Sequence, residues 1–267
     1  LEGATSVTAL SLADGRIVAV GEALLIGDLA RRALSRFPLT EPAHALAVLG
    51  ESLVLATQRG VYGATHRGEI EWFIALAGVS SLATCAGQAF GLRDGVVHRL
   101  SSSGVVPLST RARQIVSHAA ALALVGADGA LMELKGHEAH LTEVSPPDPI
   151  QELLARAGTL FLGESGAVGV HLLGSMTAAL PDRTLVRANV GERIVAACFG
   201  GRSGQEAIYL FLQGGMSVRI DRHGSRRDLH TLGQPLDAAC LAFDGQREEL
   251  LLASRLGVCV LAPKRSH

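Results

Sequence analysis

A short unit of two apolar runs joined by a glycine-containing turn recurs along the chain, and it constrains the fold more than any other feature. The clearest copies are LVLATQRGVYG (53–63), AFGLRDGVVHRL (89–100), ALVGADGALMEL (123–134), LFLGESGAVGVHLL (160–173) and LLLASRLGVCVL (250–261). The turn glycines Gly60, Gly95, Gly129 and Gly166 follow one another at intervals of 35, 34 and 37 residues. A fixed period of this length is the signature of a repeat architecture.

Further apolar stretches complete each unit. A copy with a longer turn lies at 193–211 and a first copy at 16–29, and small-residue stretches such as HALAVL and DAACLAF precede the copies. More polar stretches follow them, at 69–76, 105–110, 138–144, 175–180 and 226–232. Each unit therefore has four short strands separated by turns, which is typical of an antiparallel sheet.

These units predict an all-β protein, a seven-bladed β-propeller with four-stranded antiparallel blades. The 267 residues divide into seven units of about 38 residues, which is the length of a four-stranded blade. One propeller domain is predicted to cover residues 1–267, with blades at 1–41, 42–79, 80–114, 115–149, 150–184, 185–234 and 235–263. The first strand of each blade is predicted to be innermost, because it is rich in Ala, Ser and Thr. A six-bladed propeller, a β-sandwich and a parallel solenoid remain as alternatives.

Three segments depart from the regular pattern. The seventh unit has no fourth strand, and we expect residues 1–6, or chain upstream of Leu1, to supply it and so to cover two exposed sheet edges. Residues 26–37 and 147–158 both have local helical character. The second is the stronger helix candidate, because it has proline in its first turn and Gly158 at its end. A helix there would displace the innermost strand of the fifth blade.

The strand, glycine turn, strand core of LVLATQRGVYG and its copies resembles that of WD40-like and regulator-type β-propellers, and the resemblance extends over the whole chain. The sequence has no Trp-Asp dipeptide and contains one Trp and two Tyr. The resemblance therefore implies an architecture and names no particular family within it.

Composition excludes several classes of protein. Hydrophobic residues make up 48% of the chain and charged residues 18%, which is opposite to the composition of a disordered segment. The formal net charge of -1 argues against a nucleic-acid binder that works by neutralising phosphates. No apolar run reaches the length of about 18 residues that a membrane span needs. The four cysteines form no CxxC pair, so we predict reduced thiols and a cytoplasmic location.

Two short motifs have a catalytic form but are better explained by the repeat. GHEAH (136–140) carries two histidines and Glu138, yet zinc needs three or four converging ligands and no second cluster has matching spacing. GESGA (163–167) is similar to a hydrolase nucleophile elbow around Ser165, but that elbow joins a strand to a helix. Here the segment aligns with the other repeat turns. No catalytic residue, metal or cofactor is predicted.

Two groups of polar residues are the candidate binding sites. Residues 219–230 carry an arginine-rich run that could grip an acidic surface through guanidinium groups, with Arg222, Arg226 and Arg227 as its core. Polar residues near the start of the innermost strands would ring one mouth of the propeller channel, where loops on a rigid scaffold concentrate function. These are Thr8, His44, Ser81, His118, Glu152, Arg187 and Asp237.

The function predicted from these observations is a non-catalytic protein-protein interaction or scaffold module with a protein partner. It would serve as a regulatory domain or subunit of a larger bacterial assembly, since the richness in Ala, Arg, Gly and Leu is typical of a high-GC genome. A propeller-type hydrolase or lyase with its site at the channel mouth is one alternative. An inhibitory domain that controls an attached or partner protease or NTPase is the other.

Overall fold

The computed structural model describes residues 7–13, 16–28, 33–118, 121–135, 140–163, 166–200, 206–236, 238–244, 247–254 and 257–261. The chain divides into two compact units, an N-terminal unit from Thr5 to Ser145 and a C-terminal unit that begins at Pro146. Both units are built from small antiparallel sheets in which consecutive strands are hydrogen-bonded neighbours.

The N-terminal unit contains four blades of four strands each. The first two blades comprise β1 to β8, with bounds Val7–Ala13, Arg16–Gly21, Ala23–Asp28, Ala33–Pro38, Ala43–Leu49, Ser52–Thr57, Val61–Thr65 and Ile70–Ile74. The third and fourth blades comprise β9 to β16, with bounds Val79–Cys85, Gln88–Arg93, Val96–Ser101, Gly104–Arg111, Gln114–His118, Ala121–Val125, Leu131–Lys135 and His140–Val144.

The C-terminal unit begins with a helix, α1, at Asp148–Ala155. The fifth and sixth blades comprise β17 to β24, with bounds Thr159–Leu162, Val168–Leu172, Ser175–Ala179, Leu185–Asn189, Ile194–Gly200, Ala207–Leu212, Met216–Asp221 and Arg226–Thr231. A sheet of three strands follows, with β25, β26 and β27 at Ala238–Asp244, Arg247–Ser254 and Gly257–Leu261.

The predicted number of blades is wrong. The described residues form six four-stranded antiparallel blades, whereas seven were predicted, and the last three strands form a sheet of three. No described strand pairs with the outer edge of β27, which is why this sheet does not complete a four-stranded blade. The expected closing strand at residues 1–6 lies outside the described residues.

The helix predicted at 147–158 is confirmed. It starts directly after Pro147 and buries Ile150 and Leu154, which are one turn apart on the same face. The helical character of residues 26–37 is overridden, because Ala23–Asp28 and Ala33–Pro38 pair as strands of the first blade. Four consecutive buried residues from Ala23 to Ile26 suit a strand that is covered on both faces, whereas a surface helix buries only one stripe.

Helix α1 also shifts the strand assignment of the fifth blade. It occupies the place where the first strand was predicted, so that strand is instead Thr159–Leu162. The stretch 175–180, predicted as the outermost strand, becomes the third strand. The fourth strand is Leu185–Asn189, which pairs with β19 and therefore lies beyond the predicted blade boundary at 184/185.

The core lies between adjacent blades. Within each unit the first strands of neighbouring blades contact one another, as β5 does with β1 and β9 and as β21 does with β17 and β25. The second strands are the most deeply buried, since neighbouring blades cover both of their faces: every residue of β14 and of β22 is buried. Large side chains such as Phe90 and Leu122 fill the space between the third and fourth blades.

Candidate functional site

The ends of the strands define a surface of the N-terminal unit that we call the upper face. It is the end at which the first strands β1, β5, β9 and β13 begin. Because neighbouring strands are antiparallel, each second and fourth strand ends there as well. Loops that join one blade to the next, and the turns between second and third strands, therefore lie together on the upper face.

A cleft of about 440 Å³ opens on the upper face between the third and fourth blades. The side chains and backbone that line it include Ser80, Leu92, Asp94, Arg111, Arg113 and Ala127. These residues come from the start of β9, the turn after β10, the end of β12 and the turn after β14. The cleft is thus a product of blade packing and belongs to no single sequence segment.

Hydrogen bonds fix the backbone around the cleft. Ala112, between the two arginines, donates its N–H to the carbonyl of Gly95 at 2.9 Å, and Arg113 donates its N–H to the carbonyl of Val125 at 2.7 Å. The first bond anchors the segment to the third blade and the second anchors it to the fourth. The turn itself needs Gly95, whose φ is +76°, a conformation that favours glycine.

The cleft carries an excess of positive charge. Arg111 is exposed and Arg113 is half-buried, and burial lowers the pKa of the Arg113 guanidinium, which still remains charged at neutral pH. The carboxylate of Asp94 is engaged by Nε of Arg93 at 3.3 Å on the exposed rim. Two guanidinium groups on a fixed backbone can hold a carboxylate or another planar anion through paired N–H donors.

Two of the predicted mouth residues form hydrogen bonds between blades. Thr8 donates its hydroxyl to the carbonyl of Ala43 at 2.6 Å, and Nε2 of His44 lies 2.6 Å from the carbonyl of Val79. In each case the acceptor is the first residue of the next blade's first strand. Both side chains are the extra residue of a β-bulge, which turns them out of the regular ladder.

Ser81, the third predicted mouth residue, lies one position after the place in its strand that Thr8 and His44 occupy in theirs. The bulged residue of β9 is Ser80, which donates its hydroxyl to the carbonyl of Leu92 at 3.1 Å, as Thr8 also does to Val20 at 3.2 Å. Ser81 lies in the regular ladder opposite Leu92, and its hydroxyl is buried without a hydrogen bond from any described residue. Sequence alone does not reveal the bulge that decides between the two serines.

We expect the substitution His44→Ala to lower the free energy of unfolding by about 1 kcal/mol, because it removes a hydrogen bond between two blades. Chemical denaturation of the variant measures this loss. Ser81→Ala is the matched control, since that hydroxyl makes no hydrogen bond and its removal should change stability much less. Equal stability of wild type and His44→Ala would contradict an inter-blade role.

Three other predicted mouth residues are not at the start of a first strand. His118 ends β13, so it lies at the opposite end from the upper face. Glu152 is exposed on α1, and Arg187 is exposed on β20, the fourth strand of the fifth blade. Glu152 and Arg187 are displaced from the predicted strand starts because helix α1 shifts the strands of the fifth blade. His118 is displaced because the innermost strand of the fourth blade starts at Gln114. Asp237 lies outside the described residues.

The arginine-rich run covers the end of β23, the turn that follows it and most of β24. Arg222 makes ion pairs with Asp182 and with Glu206, so it links this turn to the turn after β19 in the fifth blade. Arg226 pairs with Asp228 at 2.7 Å, and Arg227 is exposed on β24. The three arginines are therefore close in the chain but differ in their surroundings, and their binding role stays a prediction.

The two motifs of catalytic form are only partly described. Residues 136–139 of the histidine motif and Ser165 lie outside the described residues. The segment from Gly163 to Ala167 joins β17 to β18, so it is a turn between two strands, as predicted from the repeat. The described residues contain no group of three His, Cys, Asp or Glu side chains arranged to hold a metal ion. None of their helices is long and apolar enough to cross a membrane.

Sequence reasoning missed the cleft. Its signal was the stretch LSTRAR (108–113), which carries two arginines two residues apart where one blade passes into the next. The stretch has no counterpart in the other repeat units, so a comparison of the units does not identify it.

The fold is shared with solved β-propellers from functionally different proteins. Virginiamycin B lyase from Staphylococcus aureus superposes with a TM-score of 0.72 at 12% identity, covering 99% of this chain and 98% of that one. BamB from Moraxella catarrhalis gives 0.65 at 12% identity, covering 97% and 94%. YCF48 bound to D1 peptide gives 0.66 at 9% identity, covering 100% and 94%. No protein-family profile and no curated protein sequence matches the chain.

Proposed function

We propose that this chain is a non-catalytic protein-interaction module that binds an acidic segment of a partner protein in the cleft between the third and fourth blades. The observation that carries the proposal is the pair of arginines, Arg111 and Arg113, held on a hydrogen-bonded backbone at a preformed opening. A carboxylate side chain or a carboxyl terminus of the partner would lie between the two guanidinium groups.

The cleft is ordered before a partner binds, so binding does not require this part of the chain to fold. The turn at Gly95 and the segment through Ala112 are hydrogen-bonded before any partner arrives. Association then costs little ordering entropy on this side of the interface, so charge pairing in the cleft contributes more fully to affinity. A propeller scaffold is compatible with this role, since YCF48 was solved with a D1 peptide and BBS1N in complex with ARL6DN.

A labelled glutamate-rich peptide is the direct probe, because its carboxylates test the cleft without knowledge of the natural partner. We expect saturable binding by fluorescence anisotropy, weakened about tenfold or more by Arg111→Glu and to a smaller extent by Arg113→Gln. The affinity should also fall as salt is raised. Arg156→Glu is the matched control, since it reverses the charge of an exposed arginine that directly follows α1 and does not line the cleft.

Folding must be separated from binding in this experiment. Arg111 is exposed, so Arg111→Glu should unfold at the same temperature as wild type. A folded Arg111→Glu variant that binds the peptide as tightly as wild type would reject the cleft as the site. Loss of binding in Arg156→Glu as well would show that the peptide responds only to net charge.

A further inference from the structure

The outer strand of the second blade carries a concentration of aromatic side chains. The chain has ten aromatic residues, and three of them, Tyr62, Trp72 and Phe73, lie on adjacent strands of this blade. The rings of Tyr62 and Phe73 are 4.6 Å apart between centroids. Tyr62, Phe73 and Ile70 lie on one face of the blade and form what we call the outer patch, whereas Trp72 lies on the opposite face.

The outer patch is exposed on an edge strand. Ile70 is 50% exposed and Phe73 is 49% exposed. Six large hydrophobic side chains are exposed among the described residues, and these two are the only pair that lies on one strand. Edge strands are usually protected from pairing by lysine, proline or a covering element. The strand β8, IEWFI, has no lysine, arginine or proline.

Glycines lie beneath the rings on both faces of this blade, and Gly60 lies beneath Phe73 of the outer patch. A Cβ atom added to Gly63 would lie 2.0 Å from Cε2 of Trp72, and one added to Gly60 would lie 2.7 Å from Cε2 of Phe73. Both rings therefore pack directly on backbone. An exposed ring that is already immobilised loses little freedom when a partner covers it.

A small pocket beside the patch supplies a negative charge. It has a volume of about 60 Å³, and its lining includes Leu39, Glu41, Tyr62 and Ile70. The hydroxyl of Tyr62 donates to Oε1 of Glu41 at 3.0 Å, which holds the carboxylate at the hydroxyl end of the Tyr62 side chain. A carboxylate next to an aromatic ring is a suitable site for an ammonium or guanidinium group.

The charges nearby agree with a cationic occupant. Glu69 and Glu71 are exposed on and beside β8, and between Gly68 and Leu92 the sequence contains no lysine or arginine. Two arginines, Arg59 and Arg67, lie on the turns at the two ends of β7. An extended segment along β8 would thus meet acidic side chains along its length.

We infer that the outer patch is a second protein-binding surface, for an extended partner segment that carries a lysine or arginine between apolar residues. The cationic side chain enters the pocket beside Tyr62 and Glu41, and the flanking apolar side chains cover Ile70 and Phe73. This site is separate from the cleft of the third and fourth blades, and neither proposal rests on the other.

A labelled peptide makes binding to this surface observable, because Trp72, the single tryptophan of the chain, lies on the opposite face of the blade. The probe is a short fluorescently labelled peptide that alternates leucine and lysine, titrated while its anisotropy is recorded. We expect a saturable rise in anisotropy, and about a tenfold weaker affinity for the same peptide with acetylated lysines.

Two variants test the named contacts. Glu41→Gln keeps the shape of the pocket but removes its charge, and it should weaken the lysine peptide about tenfold while leaving the acetylated peptide unchanged. Glu143→Gln, which neutralises an exposed carboxylate on β16, is the matched control and should bind as wild type does. Arg111→Glu should not weaken the lysine peptide, which distinguishes this site from the cleft.

Three outcomes would overturn the inference. The first is equal affinity for the lysine and acetylated peptides, which would mean that the patch binds apolar chains without selecting a cation. The second is equal affinity of wild type and Glu41→Gln for the lysine peptide, which would place the peptide elsewhere. The third is a protein that sediments as a dimer and becomes monomeric in Phe73→Ala, which would assign the patch to a second copy of this chain.

Discussion

Replacing Gly215 by alanine is expected to lower the free energy of unfolding by about 4 kcal/mol. Two effects add at this position, in the turn between β22 and β23. Gly215 has a φ of +92°, which costs a residue with a side chain about 1–2 kcal/mol. An added Cβ would also lie 2.2 Å from the carbonyl oxygen of Gln234, and displacing backbone costs about 1–3 kcal/mol.

A neighbouring glycine separates the two effects. Gly191 has a φ of +72° but nothing within 4 Å of an added Cβ. Gly191→Ala should therefore lose only about 1–2 kcal/mol. Both residues belong to the C-terminal unit, so the two variants are compared in the same unfolding transition by chemical denaturation. Equal losses in the two variants would show that the contact with Gln234 relaxes without cost.

The second large effect expected is a loss of about 3 kcal/mol in stability between pH 6.5 and pH 4, caused by His171. This histidine lies on β18 and is 7% exposed. Burial, aided by the positive charge of Arg193, lowers the pKa of His171 from 6.5 to about 4. The difference of 2.5 units corresponds to about 3 kcal/mol at about 1.4 kcal/mol for each unit.

The direction follows from which state takes up the proton first. The unfolded chain binds a proton at His171 below pH 6.5, whereas the folded protein does so only near pH 4. The stabilisation is therefore complete above pH 6.5 and is lost as the pH falls toward 4. Burial lowers the pKa of His98 as well, which adds a loss of the same sign. Hydrogen bonds to backbone N–H groups hold the pKa values of Asp182 and Asp221 below 3.8, so these carboxylates act at lower pH.

Denaturation curves measured across this pH range check the effect. His171→Gln removes the titrating group and should flatten most of the dependence between pH 6.5 and 4. His223→Gln, which replaces an exposed histidine on the turn after β23, should keep the wild-type dependence. Parallel curves for wild type and His171→Gln would mean that His171 does not remain neutral in the folded protein.

The repeat predicted most of the strands, and turn geometry explains why. Gly95, Gly129 and Gly166 all have positive φ, so the turn conformation itself requires glycine at this position of the unit. Gly60 occupies the same place for another reason, since an added Cβ would lie 2.2 Å from the carbonyl oxygen of Ile74. Both requirements select glycine at this position, so the period is visible in the sequence whichever requirement applies.

The candidate sites were less accessible to sequence reasoning. Arg111, on the outer strand of the third blade, lines the same cleft as Arg113 and Ala127 only because the fourth blade packs against the third. The prediction of the mouth residues placed them at the same position of the first strand in every blade. Helix α1 precedes β17 and changes that position in the fifth blade, and the bulge at Ser80 changes it by one residue in the third blade. Local pattern specifies the strands, but register between blades is a property of packing.

The contacts made by Thr8 and His44 explain how the units of this fold can differ so much in sequence. Each side chain is held by a main-chain carbonyl of the following blade, at Ala43 and at Val79. Every amino acid supplies that carbonyl, so the residue at the receiving position is free to change without loss of the contact. Neighbouring blades are therefore joined by contacts that do not depend on the side chain of the receiving residue. Divergence of one repeat does not require a matching change in the next.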